Sequence, residues 1–185
     1  FKDASLRYAG AGADSLSDIT FDIAPGETVG IIGGTGSGKS SLVNMIPRFY
    51  DVSQGSVSID GVDVKDYTLD ELRHKVGVVP QKAVLFAGTI ADNIRWGKQD
   101  ATEAEIDEAL EIAQAKEFVE GKENGINFKI TQGGKNLSGG QKQRLTIARA
   151  VVRKPEILIL DDSASLLTLQ LMRRSERRSG KRQRA

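Results

Sequence analysis

Hydrophobic and polar positions alternate along much of the first 65 residues, and this period of two predicts β-strands. In the stretch LSDITFDI the apolar residues Ile19, Phe21 and Ile23 fall on one face. A PGE turn then leads into a second apolar strand, predicted over Thr28–Ile32. The stretch SVSIDGVDV predicts a β-hairpin whose turn is the Asp-Gly pair at residues 60–61. The first third of the chain is therefore expected to be rich in β-structure.

The pattern changes to helical spacing near residue 102. Thr102 and Glu105 form a capping-box pattern at the start of a predicted helix over residues 102–120. Four apolar residues of this stretch lie on one helical face: Ile106, Ala109, Leu110 and Ala113. A second helix is predicted to begin near Ser138 and to end before Pro155. The order of elements predicts an α/β fold.

The stretch EILILDD at residues 156–162 is apolar without alternation and ends in two carboxylates. Such runs are typical of strands that are covered on both faces of a parallel sheet. KVGVVPQ, which ends at Gln81, predicts another short strand. The two carboxylates at the end of EILILDD are natural hard-oxygen ligands for a cation.

Composition narrows the possible functions. The net charge of +1 is unevenly distributed, because the last thirteen residues carry an excess of arginine and the rest of the chain is net acidic. The body of the chain thus lacks the basic surface that binding to nucleic acid requires. There is no cysteine, so disulfides and thiolate metal sites are excluded, and no apolar run is long enough for a membrane span.

The stretch GGTGSGKSS at Gly33–Ser41 fits the phosphate-loop pattern G-x-x-x-x-G-K-[ST]. A predicted strand precedes it and a helix is predicted to begin near Lys39, which is the context that this motif needs. Glycines allow backbone N–H groups to converge on phosphate oxygens. Lys39 is expected to reach the β- and γ-phosphates, and the Ser40 hydroxyl is expected to bind Mg²⁺. The sequence therefore predicts a site for a nucleoside triphosphate.

A second motif, LSGGQKQR at Leu137–Arg144, places Ser-Gly-Gly at the start of the later helix. Together with the phosphate loop and ILILDD it resembles the nucleotide-binding domain of ABC transporters, over Phe1 to about Ser165. The stretches RFYDVSQGSVSIDG and VVPQKAVLFAGTIADNI are most similar to the exporter branch of the multidrug or lipid-A type.

The resemblance implies a P-loop NTPase fold of the ABC type, with an N-terminal antiparallel β subdomain and a helical subdomain. We expect residues 1–165 to form an incomplete nucleotide-binding domain that lacks the C-terminal part of its sheet. In similar exporters a membrane domain precedes this one, and a chain that opens on Phe1 rather than Met agrees with that arrangement.

The resemblance also implies the roles of individual residues at an ATP and Mg²⁺ site. Tyr8 is expected to stack on adenine, and Gln81 is expected to contact Mg²⁺ and the attacking water. Asp161 is expected to hold Mg²⁺ through water, and Asp162 to act on the attacking water. The phosphate cradle comprises Gly33, Gly34, Thr35, Gly36, Ser37, Gly38, Lys39, Ser40 and Ser41.

In similar proteins two such domains pair head to tail, and each signature motif closes on the ATP of the other. The resemblance thus implies that Ser138, Gly139, Gly140 and Gln141 bind nucleotide in trans. The expected partners are a second nucleotide-binding domain and a transmembrane domain, with no nucleic acid. The expected location is the cytoplasmic face of the cell membrane, and this segment alone is expected to be soluble.

Two departures from the family pattern leave two interpretations open. Similar ATPases usually carry Glu where this chain has Asp162. The aspartate side chain is shorter and sets its carboxylate back by about 1.5 Å, and a displacement of a catalytic group by 1 Å can lower the rate by about a hundredfold. Gln132 also stands where exporters commonly have Glu. The chain is expected to be a transport-coupled ATPase; the alternative is a degenerate ATP-binding dimerisation module with little hydrolysis of its own.

The third departure is at the C-terminus. The family pattern has Ser-x-Leu-Asp followed by a helix and a later histidine, but Ser165-Leu166-Leu167 is followed by an arginine-rich stretch. The one histidine, His74, lies before the Gln81 loop and is expected to be a surface residue. We treat residues 166–185 as a basic tail outside the family pattern. One hypothesis is that it is translated out of frame, because restoring one base after one allowed codon for Leu167 yields Leu-Asp.

Overall fold

The structure is a computed structural model that describes residues 1–161. The chain divides into two compact units, residues 1–76 and the part from Gly77 onward. Strands and helices are both present, and this α/β composition agrees with the predicted class. Asp162 and the tail at residues 166–185 lie outside the described residues.

The first unit begins with an antiparallel sheet of three strands, in the order β2-β1-β3. Ala4 pairs with Ile19 and Leu6 with Leu16 between β1 and β2, and Lys2 pairs with Ser56 between β1 and β3. The elements of this unit are β1 (Lys2–Leu6), β2 (Leu16–Ile19), α1 (Lys39–Met45), β3 (Gln54–Ser56), β4 (Ser58–Ile59), β5 (Val62–Asp63) and α2 (Leu69–Lys75). The sheet confirms the β-strands that the alternating pattern predicts and the antiparallel arrangement that the resemblance implies.

The predicted hairpin is confirmed in β4 and β5. Ile59 pairs with Val62 across a two-residue turn. Asp60 and Gly61 have φ angles of 52° and 80°, the left-handed conformation that a type I′ turn needs at both central positions. A type I′ turn twists in the same sense as the strands that it joins, and Asp and Gly both tolerate the left-handed φ that it needs. This explains why Asp-Gly occurs here.

The predicted strand Thr28–Ile32 is not formed. Residues 28–32 have no regular hydrogen-bonding pattern, and Ile32 is 98% exposed. A strand requires a neighbour that accepts and donates ladder hydrogen bonds, and within residues 1–161 no strand is paired with this segment. The predicted strand through LSDITFDI is also shorter than expected: it ends at Ile19, and the ring of Phe21 instead stacks on Phe1, with 4.6 Å between ring centroids.

The second unit contains most of the helices. Its elements are β6 (Val76–Val79, which starts at the last residue of the first unit), β7 (Gly88–Thr89), α3 (Ile90–Arg95), α4 (Glu103–Ile112), α5 (Lys116–Glu120), β8 (Lys129–Ile130), α6 (Gly139–Val151) and β9 (Ile157–Leu160). Two short 3-10 turns span Gly125–Asn127 and Gln132–Gly134. β6 and β9 form a two-stranded sheet, and β7 pairs with β8 in antiparallel fashion.

The core of this unit lies between α3, α4 and α6. Its fully buried side chains include Ile90, Ile94, Ile106, Leu110, Leu145 and Ile147. Two of the predicted α4 positions, Ile106 and Leu110, are in this set, so the helical face derived from the pattern is the buried one. None of the helices within residues 1–161 is both long enough and apolar enough to cross a membrane.

Two predictions for this unit need correction. The helix predicted over residues 102–120 is divided into α4 and α5, because Gln114 has a φ of 53° and breaks the helical backbone. The capping box of Thr102 and Glu105 does begin α4, as expected. β9 is not covered on both faces within the described residues, since Leu158 is 40% exposed while Ile159 is buried.

Candidate functional site

The phosphate loop of the first unit runs from Gly33 to Ser41 and leads directly into α1. Gly38 caps the helix with a φ of 87°, and Gly36 has a φ of 81°. Both angles lie in the left-handed region, where a side chain would be strained. A Cβ on Gly38 would also lie 2.7 Å from a methyl carbon of Leu16, so this position has no room for one. The glycines are therefore required by the shape of the loop itself.

Two positions of this loop face open space. A Cβ on Gly34 or Gly36 would meet no atom within 4 Å, whereas one on Gly33 would lie 2.5 Å from Ser37 Oγ. Lys39 Nζ lies on the loop and donates hydrogen bonds to the carbonyl oxygens of Gly33 at 2.7 Å and Gly34 at 2.8 Å. The loop thus combines open space, exposed backbone and one ammonium group, an arrangement that suits phosphate oxygens.

A cleft of about 530 Å³ lies beside the loop. Its lining consists of Tyr8, Asp14, Ser15 and residues 36–41. Tyr8 follows β1, and its hydroxyl lies 2.7 Å from Ser41 Oγ, the second residue after Lys39. An aromatic ring and the phosphate loop therefore line the same cleft, as a ligand with a flat base and a polyphosphate requires.

Two residues of this cleft, Asp14 and Ser15, were not predicted from the sequence. Asp14 forms an ion pair with Arg7, with 2.8 Å between its carboxylate oxygen and Arg7 Nε. This ion pair raises the pKa of Arg7, through the hydrogen bond first and through charge attraction second. No motif marks either position, because a loop of small and polar residues carries no periodic pattern.

In the second unit, Gln81 and Asp161 follow two paired strands. Gln81 is exposed in a bend just after β6, and Asp161 comes directly after β9. The backbone N–H of Asp161 donates a hydrogen bond of 3.0 Å to the carbonyl oxygen of Val79, two residues before Gln81. Both predicted Mg²⁺ contacts of this unit therefore follow the ends of strands that are neighbours in one sheet.

The signature motif begins α6, as predicted. Ser138 is the N-cap: its hydroxyl accepts a hydrogen bond of 3.3 Å from the backbone N–H of Gln141, and the Gln141 side chain accepts one of 3.1 Å from the Ser138 N–H. A Cβ on Gly139 or Gly140 would meet no atom within 4 Å. Packing among the described residues thus explains the serine and the glutamine, but it does not explain the two glycines.

The segment after Gln81 carries an aromatic cluster that the sequence analysis missed. The rings of Phe86 and Trp96 stack with 4.8 Å between centroids, and the guanidinium of Arg149 lies 5.5 Å from the Phe86 centroid. Arg149 also donates hydrogen bonds to the carbonyl oxygens of Val84 and Asn93. Burial lowers the pKa of Arg149. Arg149 lies more than fifty positions after both rings along the chain, so no local pattern links it to them.

The sequence of this chain matches a protein family and is similar to individual proteins over most of its length. Residues 16–165 match the family model described as ABC transporter. An ABC transporter ATP-binding protein of Mycobacterium tuberculosis, itself uncharacterized, is 48% identical over 167 residues, which cover 89% of this chain and 28% of that protein. An ATP-dependent lipid A-core flippase of Thiobacillus denitrificans is 45% identical over 168 residues, covering 90% of this chain and 29% of the flippase.

A solved structure is similar over nearly the whole chain. It is a bacterial Atm1-family ABC exporter with ATP bound, and it superposes with a TM-score of 0.87 at 35% identity, covering 97% of this chain and 32% of the exporter. The chain thus spans less than a third of the length of these relatives.

Proposed function

The chain belongs to the ABC transporter family and has its ABC-type P-loop NTPase fold, and from this premise we propose that it binds Mg·ATP at the Gly33–Ser41 loop. We further propose that it pairs head to tail with a second nucleotide-binding domain. Hydrolysis in that pair drives export through a transmembrane domain, at the cytoplasmic face of the membrane. The observation that carries the proposal is the cleft lined by both Tyr8 and residues 36–41.

Each part of the cleft suits one part of the nucleotide. The ring of Tyr8 offers a flat face to adenine. The glycine-rich loop offers N–H groups, and Lys39 offers a positive charge to the β- and γ-phosphates. Among the residues that line the cleft, Ser40 would hold Mg²⁺, since a hydroxyl oxygen suits this cation. For Gln81 and Asp161 we propose Mg²⁺ contacts from the sequence alone, through amide and carboxylate oxygens. Mg²⁺ would neutralise charge on the phosphates during hydrolysis.

Two side chains have further proposed roles in hydrolysis. Gln81 orients the attacking water from its exposed bend. Asp162, which lies outside the described residues, is the proposed base on the sequence pattern alone. A shorter carboxylate at this position lowers the rate of hydrolysis but leaves ATP binding intact.

The test of the nucleotide site uses Lys39→Ala, with Lys65→Ala as a control for the loss of one lysine from the same unit. Lys65 Nζ donates a hydrogen bond of 3.4 Å to the carbonyl oxygen of Val52, and Lys65 does not line the cleft. Charge-assisted hydrogen bonds to phosphate predict that Lys39→Ala weakens Mg·ATP binding by about a hundredfold or more. Titration calorimetry measures both variants, and equal affinity in Lys39→Ala and the parent would refute the assignment of this loop.

The proposed head-to-tail pair is supported by the open surface at Gly139 and Gly140. Glycine at these positions suits the close approach of a second molecule, because neighbouring atoms of the chain leave the space empty. We expect Ser138→Arg to bind ATP like the parent but to prevent ATP-induced dimers. Asn127→Arg adds the same charge at another exposed position and serves as the control. Light scattering that shows equal dimerisation of Ser138→Arg and the parent contradicts the pairing.

A further inference from the structure

The ring of Tyr8 is held from two sides within the first unit. Its hydroxyl lies 2.7 Å from the hydroxyl of Ser41, which is part of the helix that follows the phosphate loop. Its ring meets the ring of Tyr50 edge to face, with 4.8 Å between centroids and an interplanar angle of 88°. This T-shaped arrangement is one of the two favoured geometries for a pair of aromatic rings.

Tyr50 is itself on a well-fixed segment, although it does not line the cleft. The backbone N–H of Phe49 donates a hydrogen bond of 3.0 Å to the carbonyl oxygen of Asn44 in α1. Arg48 forms a two-pronged contact with Asp51, with its Nε 2.8 Å from one carboxylate oxygen and its Nη2 3.3 Å from the other. The residues on both sides of Tyr50 are therefore anchored, which fixes the backbone that carries its ring.

We propose that Ser41 and Tyr50 are positioning residues, which fix the ring of Tyr8 in the cleft and so strengthen binding of the base of the nucleotide. The inference rests on the proposed function, in which Tyr8 stacks on adenine. It assigns Tyr50 to nucleotide binding even though Tyr50 does not line the cleft. It also gives Ser41 a second contact, in addition to its place in the phosphate cradle.

The physical reason is preorganisation. A tyrosine ring on a loop samples several rotamers, and a ligand that stacks on it must immobilise the ring. A ring that is already held loses less freedom on binding, and holding one such side chain is worth about three- to tenfold in affinity. The effect concerns only ligands that contact the ring. A ligand that consists of phosphates alone does not benefit from it.

This difference provides the experiment. Mg·ATP and Mg·tripolyphosphate are titrated by calorimetry into the parent and into Tyr50→Leu. The control is Phe49→Leu. Phe49 is adjacent to Tyr50, and the exposed fraction of its side chain is similar, 49% for Phe49 and 42% for Tyr50. Its ring lies below the guanidinium of Arg73 and not against Tyr8. We expect Tyr50→Leu to lose about three- to tenfold in ATP affinity, with tripolyphosphate affinity unchanged. Phe49→Leu is expected to change neither affinity.

The contribution of Ser41 is measured by a double-mutant cycle with Tyr8→Phe, which keeps the ring and removes only the hydroxyl. We expect Ser41→Ala to cost less ATP affinity in the Tyr8→Phe background than in the parent, because the hydrogen bond is already lost. Additive losses in this cycle would overturn the role of Ser41. A loss of ATP and tripolyphosphate affinity to the same extent in Tyr50→Leu, or no loss of either, would overturn the role of Tyr50.

Two further variants separate this inference from the proposed function. If Tyr8→Leu binds ATP like the parent, then the ring does not stack on the base, and both the stacking and its positioning are wrong. If Tyr8→Leu loses affinity for ATP alone and Tyr50→Leu does not, then the base site stands and only the positioning is wrong. Equal affinity in Lys39→Ala and the parent instead rejects the nucleotide site as a whole.

Discussion

Replacing Arg149 with methionine is expected to destabilise the second unit by about 3 kcal/mol. Its guanidinium donates to the Asn93 carbonyl oxygen at 2.8 Å, to Asn93 Oδ1 at 2.9 Å and to the Val84 carbonyl oxygen at 3.0 Å. The two bonds to Asn93 are partly buried and charge-assisted, and each contributes about 1.5 kcal/mol. The bond to Val84 is exposed, so water replaces it at little cost. Methionine keeps most of the apolar contact but none of the donors.

Urea unfolding measures this loss, and Trp96 provides a local probe. It is the one tryptophan of the sequence, and it stacks on Phe86, which in turn lies below Arg149. With an m-value of about 2 kcal/mol/M, a loss of about 3 kcal/mol lowers the midpoint by about 1.5 M urea. Circular dichroism of the same samples shows whether the helices unfold together with the aromatic cluster.

Arg144→Met is the matched control, because Arg144 lies in the same helix α6 and makes one such bond, to the carbonyl oxygen of Gln114 at 3.2 Å. We expect it to cost about 1.5 kcal/mol, half the loss in Arg149→Met. Arg149→Lys should fall between the two, since an ammonium keeps the charge but cannot reproduce the planar set of donors. Equal urea midpoints for Arg149→Met and Arg144→Met would refute the claim that the hydrogen bonds of Arg149 to Asn93 and Val84 stabilise the second unit.

Three further predictions concern other parts of the chain. The ion pair with Lys98, together with its capping-box hydrogen bonds, lowers the pKa of Glu105 from 4.5 to about 2. The stability that this carboxylate adds is complete above its ordinary pKa and is lost as the pH falls towards 2, so Glu105→Gln should flatten the acid unfolding curve in this window. Gly97→Ala should cost about 1–3 kcal/mol in urea unfolding, because a Cβ would lie 2.0 Å from the carbonyl oxygen of Arg149, whereas Gly12→Ala, with open space around it, should cost little. If the C-terminal tail is translated out of frame, sequencing the gene should show a single missing base near codon 167, and close relatives with an uninterrupted frame and the same tail would contradict this.

Local patterns account for the elements that were predicted well. The hairpin at residues 60–61, the capping box of α4 and the start of α6 near Ser138 each depend on a few consecutive residues, whose hydrogen bonds close within one turn. The phosphate loop is local in the same sense, since the left-handed glycines and the start of α1 follow from nine adjacent residues. Such features can be derived from sequence because their stabilising contacts lie within the motif itself.

Features that depend on distant partners were missed or predicted wrongly. The strand predicted over Thr28–Ile32 has the right residues for a buried strand, but strand formation requires a paired neighbour. In the cluster of Phe86, Trp96 and Arg149, the arginine lies more than fifty positions after the two rings, and no sequence motif marks any of the three. The proposed role of Tyr50 likewise follows only from the contact of its ring with Tyr8, a residue 42 positions earlier in the chain. Pattern analysis cannot supply these contacts, because it contains no information on tertiary pairing.

Helix α6 connects two parts of the second unit that the family pattern treats as separate motifs. Its first residues carry the signature motif, with Ser138 as the N-cap, and its third turn carries Arg149, which holds Val84 and Asn93. The backbone N–H of Gly133 additionally donates a hydrogen bond of 3.1 Å to the carbonyl oxygen of Leu85, so the segment before the signature contacts the same stretch. A displacement of the segment that follows Gln81 must therefore either break these bonds or move α6 with it. Arg149 makes two partly buried hydrogen bonds to Asn93, and the Asn93 side chain in turn bonds the N–H and the carbonyl oxygen of Phe86 in this segment. A loss of Arg149 should therefore loosen the segment before α6 unwinds. Trp96 fluorescence would then change at lower urea concentrations than the helical circular dichroism signal does, and coincident transitions would show that the two parts unfold as one.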